Sequence, residues 1–345
     1  MQDIVLDMGG KLFAEHAEAA FHAHPKDTTE GAASWMPGLW AQVGELGLPL
    51  ALLSEEHGGF DLPAATAMGL VRLAAAHAVP LPLGETMIAN WLLAHAGLPL
   101  AEGPATLALG PELDGDRLNG PAARVAYGRH AATVVLLAGD RLVRTDAGTV
   151  TEASHNVAGE PRDTLVFAGE VTSAPAPVNK QNFRLLGALL RAQGMAGALE
   201  AALSMTVDHA NSREQFGRPL GKFQAIQQSL AVMATNVAAA GAAAVMATDL
   251  LSDALAGTGA FATAAMAAKI RTGEAAGIGA SIAHQTHGAI GFSQEYRLHP
   301  LTRRLWAWRD EWGREAEWCE TLGTEVCARG PDGFWPFLTS TGSAA

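Results

Sequence analysis

Three long Ala/Gly/Met-rich stretches, Phe183–Asn211, Gly221–Leu255 and Phe261–Gln285, set the tightest limit on how this chain can fold. Each is long enough for a bundle helix. Small residues on several faces let such helices approach closely and bury more than one side. The first two are joined by His209–Leu230, HANSREQFGRPLGKFQAIQQSL, which reads as a helix end, a Gly/Pro-bearing turn carrying arginine and phenylalanine, and a new helix start. A polar turn clamped between two apolar helices is well placed to hold a ligand. Asp253–Gly259 reads as the loop between the second and third stretches.

Upstream, apolar residues recur at three and four positions through Leu6–Phe21, Trp35–Leu46, Ala64–His77 and Leu83–Ala96, the period of helices. Breaks fall at His24–Pro25, Glu55–Gly59 and Val79–Pro82. The pattern then shortens: Ala105–Ala108, Val125–Ala126, Thr133–Leu137, Leu142–Thr145 and Thr164–Ala168 are β-prone runs between Gly, Asp, Asn and Pro, which predicts a small antiparallel sheet or barrel. The expected organisation is mainly α with a small β-domain: an N-terminal helical domain at 1–103, a reduced β-domain at 104–178, a C-terminal four-helix bundle at 179–330 and a tail at 331–345. Thr339–Ala345 reads as disordered.

Composition removes several partner classes. Lys+Arg 23 against Asp+Glu 35 gives a formal net charge of −12, so the overall field repels nucleic-acid backbones and anionic membranes. Neither is an expected partner. Cys319 and Cys327, the only cysteines, lie eight residues apart in a helical pattern, about 12 Å and beyond disulfide reach. Free thiols point to a reducing compartment. No basic stretch leads an apolar run at the N-terminus, and no segment is expected to span a membrane, so a cytoplasmic protein is expected.

The phosphate-cradling fingerprints G-x-G-x-x-G after a strand and G-x-x-x-x-G-K-[ST] are missing, as is G-x-S-x-G. A pair of Glu-x-x-His motifs on two helices, which a di-iron bundle requires, is also missing. His284 and His287 lack a matching ligand set and read as hydrogen-bonding residues; no metal site is expected.

Four stretches carry a more specific signal: Leu39–Gly59 (LWAQVGELGLPLALLSEEHGG), Leu81–Leu93 (LPLGETMIANWLL), Arg213–Gln224 (REQFGRPLGKFQ) and Gln285–Tyr296 (QTHGAIGFSQEY). With the domain order, they resemble the acyl-CoA dehydrogenase family of flavoproteins, over nearly the whole chain. The resemblance implies an FAD held without a Rossmann fold, the turn after the first bundle helix reaching the pyrophosphate and adenine of a neighbouring subunit's flavin. Arg213 would pair with the pyrophosphate, as suits a guanidinium fork. Gln215 and Phe216 would follow along the dinucleotide, Leu220 and Phe223 would contact the adenine side, and Gln285, Gly288 and Ala289 would approach the pyrophosphate from the next helix end. It also implies an acyl-CoA substrate, α,β-dehydrogenation of its thioester, and an electron-transfer flavoprotein as electron acceptor.

The chain departs from the family where chemistry is expected. The resemblance places a catalytic Glu before a Gly about two dozen residues after the Gln285 motif, and here that position is Trp312, followed by Gly313. An alternative base position falls near Gly187–Ala188, where Asn182–Ala198 has no carboxylate. Asp310 and Glu311 are the carboxylates nearest to the usual place, and Glu311 is the candidate base, against the reading that it is a solvated charge in the run RDEWGREAE. Trp306, Trp308 and Trp312 read as core residues or as pocket walls. The β-region is abbreviated as well: Leu107–Pro111 and Leu118–Ala123 stand where longer members bring hydroxyls to the isoalloxazine ring. Some short members of the family work as heteromers, in which one chain supplies the base and another the cross-subunit Arg and Gln. This chain is similar to the second kind, so a homo- or hetero-oligomer through the bundle is expected, either as a dehydrogenase or as a non-catalytic subunit completing a partner's FAD site.

Overall fold

The computed structural model describes residues 2–24, 34–146, 148–257 and 259–340, in two compact units, Met1–Phe183 and Arg184–Ala345. The first unit opens with α1 (Gln2–Glu15), α2 (Ala17–Ala23), α3 (Pro37–Glu45), α4 (Ala64–Ala76) and α5 (Leu83–His95). The pattern through Leu6–Phe21 is thus two helices, separated at His16, whose ring Nδ1 lies 2.9 Å from Leu12 O. Every residue from Leu83 to Leu93 is buried. Thr86 Oγ1 donates to Pro82 O at 2.8 Å and accepts from Ala105 N at 2.9 Å, tying α5 to the first strand.

Among the described residues, eight strands follow: β1 (Ala105–Leu109), β2 (Leu113–Asp114), β3 (Arg117–Ala126), β4 (Thr133–Ala138), β5 (Arg141–Asp146), β6 (Thr149–Glu152), β7 (Arg162–Glu170) and β8 (Thr172–Pro175). They form two four-stranded sheets in the orders β1-β4-β5-β8 and β2-β3-β7-β6. Where an antiparallel sheet or barrel is expected, the described strands of this region form two sheets, and β1 pairs with β4 in parallel. The chain leaves the first sheet after β1, builds β2 and β3 in the second, and returns to the first with β4. Strand periodicity shows which runs are strands but not which edge they join. The entirely buried β4 is apolar from Val134 to Ala138, as suits a strand covered on both faces. Leu118, Ala122, Val134, Leu136, Leu165 and Phe167 belong to the core cluster of this region. A bulge between Ala122 and Val125 bends β3, with Arg124 at φ 57°.

α6 (Lys180–Ser212) leads into the second unit, which continues with a two-residue hairpin, β9 (Glu214–Gln215) and β10 (Arg218–Pro219), then α7 (Gln224–Asp249), α8 (Asp253–Ala256), α9 (Gly259–His287), α10 (Leu298–Asp310), α11 (Glu315–Ala328) and α12 (Gly330–Ser340). Gln193 Nε2 on α6 donates to Ala244 O (3.0 Å) and Thr248 Oγ1 (2.7 Å) on α7. A Cβ on Gly279 of α9 would come within 2.6 Å of Leu199 on α6, the close helix approach that small residues permit. The fold is mainly α with a small β region. The expected loop Asp253–Gly259 contains α8, and the expected tail is helical through Ser340. Thr339 therefore belongs to α12, while residues 341–345 lie outside the described part. Cys319 and Cys327 are exposed, unpaired thiols on α11.

The expectation that no segment could span a membrane needs correction. By length and composition α7 is long and apolar enough to cross one. Part of that apolar character serves helix packing, since Met233, Val237, Ala240, Gly241, Ala244 and Ala247 are buried within the unit. Val232, Val245 and Met246 on the same helix are 50%, 43% and 41% exposed.

Candidate functional site

The helix α6 ends at Ser212, and the backbone then folds back on itself: Arg213 N donates to His209 O at 2.9 Å, and Leu220 N donates to Arg213 O at 2.9 Å. Between them β9 and β10 pair as a hairpin. At its tip Phe216 and Gly217 have φ of 52° and 78°, so both central residues are left-handed, the geometry of a type I′ turn. Gly217 adopts this freely; phenylalanine does not. The Phe216 ring is nevertheless 90% exposed, touching Phe223 edge-on at a centroid distance of 6.2 Å. A one-turn 3₁₀ segment, Leu220–Lys222, leads into α7. Gly221 sits there because a Cβ would fall 2.8 Å from Asn211 Oδ1.

This turn faces the C-terminal end of α9. His209, Arg213, Gln215, Leu220 and Ile226 on one side, and Gln285, Thr286, His287, Gly288, Ala289 and Ile290 on the other, enclose a cavity of about 580 Å³. That is within the usual range for small-molecule sites, about 300–1,000 Å³. Gly288, at φ +65°, has nothing within 4 Å of where a Cβ would stand, so backbone is open toward the cavity. Of the eight predicted cofactor residues, Arg213, Gln215, Leu220, Gln285, Gly288 and Ala289 meet here. Phe216 and Phe223 are outside the lining; Phe223 lies under the Arg218 guanidinium, 4.2 Å from its ring centroid.

His209, Ile226, Thr286, His287 and Ile290 were not singled out as cofactor contacts. His209 was legible in principle, because it stands one turn before Arg213 at the end of the helix, and Arg213 N donates to its carbonyl. The His209 and His287 rings stack with centroids 4.4 Å apart and planes at 25°. His287 Nδ1 donates to Ala283 O at 2.8 Å. Burial lowers the pKa of both; for His209, His287 and Arg213 push it further down, whereas for His287 the backbone carbonyls of Ala283 and Met205 oppose the shift. His284 is buried and hydrogen-bonded to Thr302 Oγ1 at 2.9 Å. Among the described residues no group of three or more metal-ligating side chains assembles.

The residues expected to carry chemistry lie at the α10–α11 turn. Glu311 is not a solvated charge: it is 8% exposed, and its Oε2 accepts from Arg191 Nε on α6 at 2.6 Å. Lys269 on α9 is fully buried and donates to Arg309 O at 2.7 Å. Burial pushes its pKa down to about 8, against the pull of Glu315 and Glu311. Arg309 Nε in turn pairs with Glu315 at 2.5 Å. The two positions at which a family base was sought turn out to touch. A Cβ on Gly187 would come within 2.2 Å of the Trp312 indole, so the ring fills the space that the missing side chain leaves. Trp312 O accepts from Trp318 Nε1 at 3.1 Å. Trp308 packs on Gly194 in the core, and Trp306 is 40% exposed.

Residues 185–309 match the family described as acyl-CoA dehydrogenase, C-terminal domain. Acyl-CoA dehydrogenase IpdE2 of Mycobacterium tuberculosis is 29% identical over 290 residues, which cover 83% of this chain and 86% of that protein. A 3-sulfinopropanoyl-CoA desulfinase of Paraburkholderia xenovorans is 35% identical over 128 residues, 36% of this chain and 30% of its own. Among solved structures, a chain of the Tcur3481-Tcur3483 steroid ACAD superposes with a TM-score of 0.82 at 23% identity, covering 95% of this chain and 98% of that one. One from the ChsE4-ChsE5 complex of Mycobacterium tuberculosis gives 0.79 at 20% identity, covering 94% and 97%. The motifs, the match over the bundle and the fold agree: residues 185–309 match the acyl-CoA dehydrogenase C-terminal domain, and the chain is similar to acyl-CoA dehydrogenases over most of its length.

Proposed function

We propose that this chain is a subunit of an FAD-dependent acyl-CoA dehydrogenase-type oxidoreductase, holding the pyrophosphate and adenosine end of a flavin whose reactive ring faces another chain. The residues fit that part of the group. Arg213 brings a permanent cation to the cavity, Gln215 and Gln285 bring amide donors and acceptors, and the open backbone at Gly288 lets a phosphate oxygen come close. FAD would supply the two-electron acceptor for α,β-dehydrogenation of an acyl-CoA thioester, with an electron-transfer flavoprotein as onward acceptor. The contribution of this chain is binding and orientation.

The observation that carries the reading is the contact between Trp312 and Gly187. Proton abstraction needs a carboxylate within hydrogen-bond reach of the substrate. Here an indole fills the space between the two sites at which a base was sought, and Glu311 is engaged with Arg191. A base held by another chain resolves this. The names of the ChsE4-ChsE5 and Tcur3481-Tcur3483 structures indicate two-component assemblies with this fold, which favours a hetero-oligomer. The exposed apolar residues of α7 give that oligomer a surface to bury. The test is flavin bleaching: the chain alone, supplied with FAD and an acyl-CoA, should leave the flavin oxidised. Bleaching that Glu311→Gln abolishes would establish the rival reading, a self-sufficient dehydrogenase with Glu311 as base.

A further inference from the structure

The cavity has a fixed cation, Arg213, and two stacked imidazoles, His209 and His287, on its wall. A pyrophosphate carries two negative charges, so Arg213 alone leaves it half compensated. The cavity also receives the C-terminal ends of α6 and α9, whose carbonyls favour cations and not anions. A second positive charge is therefore worth more here than at an ordinary surface site. We propose that His209 and His287 supply it as a pair, taking up one shared proton when a pyrophosphate enters the cavity; this rests on the reading of the cavity as a dinucleotide site.

The geometry limits the pair to a single proton. With centroids 4.4 Å apart, two imidazolium rings would repel each other strongly, so the second proton is excluded. His287 is oriented by its Nδ1–H bond to Ala283 O, which leaves Nε2 as the acceptor in the neutral ring. The electrostatic surroundings keep the empty cavity unprotonated. Asp208 comes from α6, Arg213 from the turn after it, His284 from α9, and Tyr296 from the segment after α9, 5.2 Å from His287 between ring centroids. The first turn of α7 contributes Ile226 and no acidic or basic residue. Burial is the largest influence on both rings and holds them neutral near pH 7. An arriving dianion reverses the balance, because an opposite charge within a few ångströms favours the charged form.

FAD is the suitable probe, since its pyrophosphate does not titrate near neutrality and any proton taken up belongs to the protein. Calorimetric titration of FAD into the full chain at pH 7, in two buffers of different ionisation enthalpy, should show uptake of about half a proton or more, and FAD should bind about tenfold tighter at pH 6 than at pH 8. Riboflavin, which lacks phosphate, should show no uptake. His209→Gln should flatten the pH dependence while Arg213 still holds FAD. Histidine Cε1–H chemical shifts of the unaltered chain give the same answer without a variant: the resonances of this pair should move toward the imidazolium position when FAD is added. FAD binding without proton uptake overturns the inference and leaves the dinucleotide reading standing. No FAD binding at any pH, by the chain alone or in its native assembly, overturns both.

Discussion

Phe216→Asn separates what the chain needs for its own stability from what it needs for a ligand or partner. A phenylalanine in left-handed backbone costs about 1–2 kcal/mol, and Asn before Gly is the preferred pair for a type I′ turn. At 90% exposure the ring recovers little of that cost within the chain. Its edge contact with Phe223 at 6.2 Å is worth about 0.5 kcal/mol. The substitution should therefore stabilise the bundle by about 0.5–1 kcal/mol, or raise its melting temperature by a few degrees. Urea and thermal unfolding read this directly. The same variant should retain less FAD in the assembled protein, as follows if the exposed ring meets the dinucleotide of a neighbouring subunit. Destabilisation by about 1 kcal/mol or more would mean that the ring packs within the chain, and unchanged FAD retention would mean that the strain serves no ligand.

Three further substitutions probe the bundle. Gly187→Ala must displace the Trp312 indole, which a Cβ would meet at 2.2 Å, and should cost about 1–3 kcal/mol by urea denaturation as an overpacked core does. A neutral result would show the indole to be easily moved. Glu311→Ala leaves Arg191 buried without this partner and should cost about 3–5 kcal/mol; a loss under about 1 kcal/mol would show the pair to be effectively solvated. Lys269 has a folded-state pKa of about 8 against an ordinary 10.5. Between these values the unfolded chain binds the proton that the folded chain has released, so this residue's contribution to stability rises with pH by about 3 kcal/mol across the window. Lys269→Met should remove that rise, and an unchanged pH profile would refute the assignment.

How much was legible depends on how local the signal was. The Arg213–Gln224 spacing located a turn that the structure closes through Arg213, His209 and Leu220, and Gln285, Gly288 and Ala289 reach the same cavity from a separate helix end. The helix periods of α3, α4 and α5 were readable because each buries one or more faces within its own unit. What could not be read was partner choice. The parallel pairing of β1 with β4 depends on where the chain returns after β3, and no property of either run states it. Glu311 reads as one more charge in RDEWGREAE because its partner, Arg191, is 120 residues away. Likewise Trp312 and Gly187 look like two separate gaps in a motif until the fold presses them together. The apolar length of α7 was missed because Gln, Ser, Asn and Thr interrupt it without adding charge.

A chain that lends half of a flavin site to another chain must be found with that chain. Recovery of the tagged protein from its native host, with FAD and subunit stoichiometry measured on the intact assembly, tests it most directly. The expected result is a second acyl-CoA dehydrogenase-type chain in equal amount, FAD bound to the assembly, and loss of that FAD with retention of the partner in Arg213→Ala. A homomer of this chain alone that holds FAD and is bleached by an acyl-CoA would contradict it.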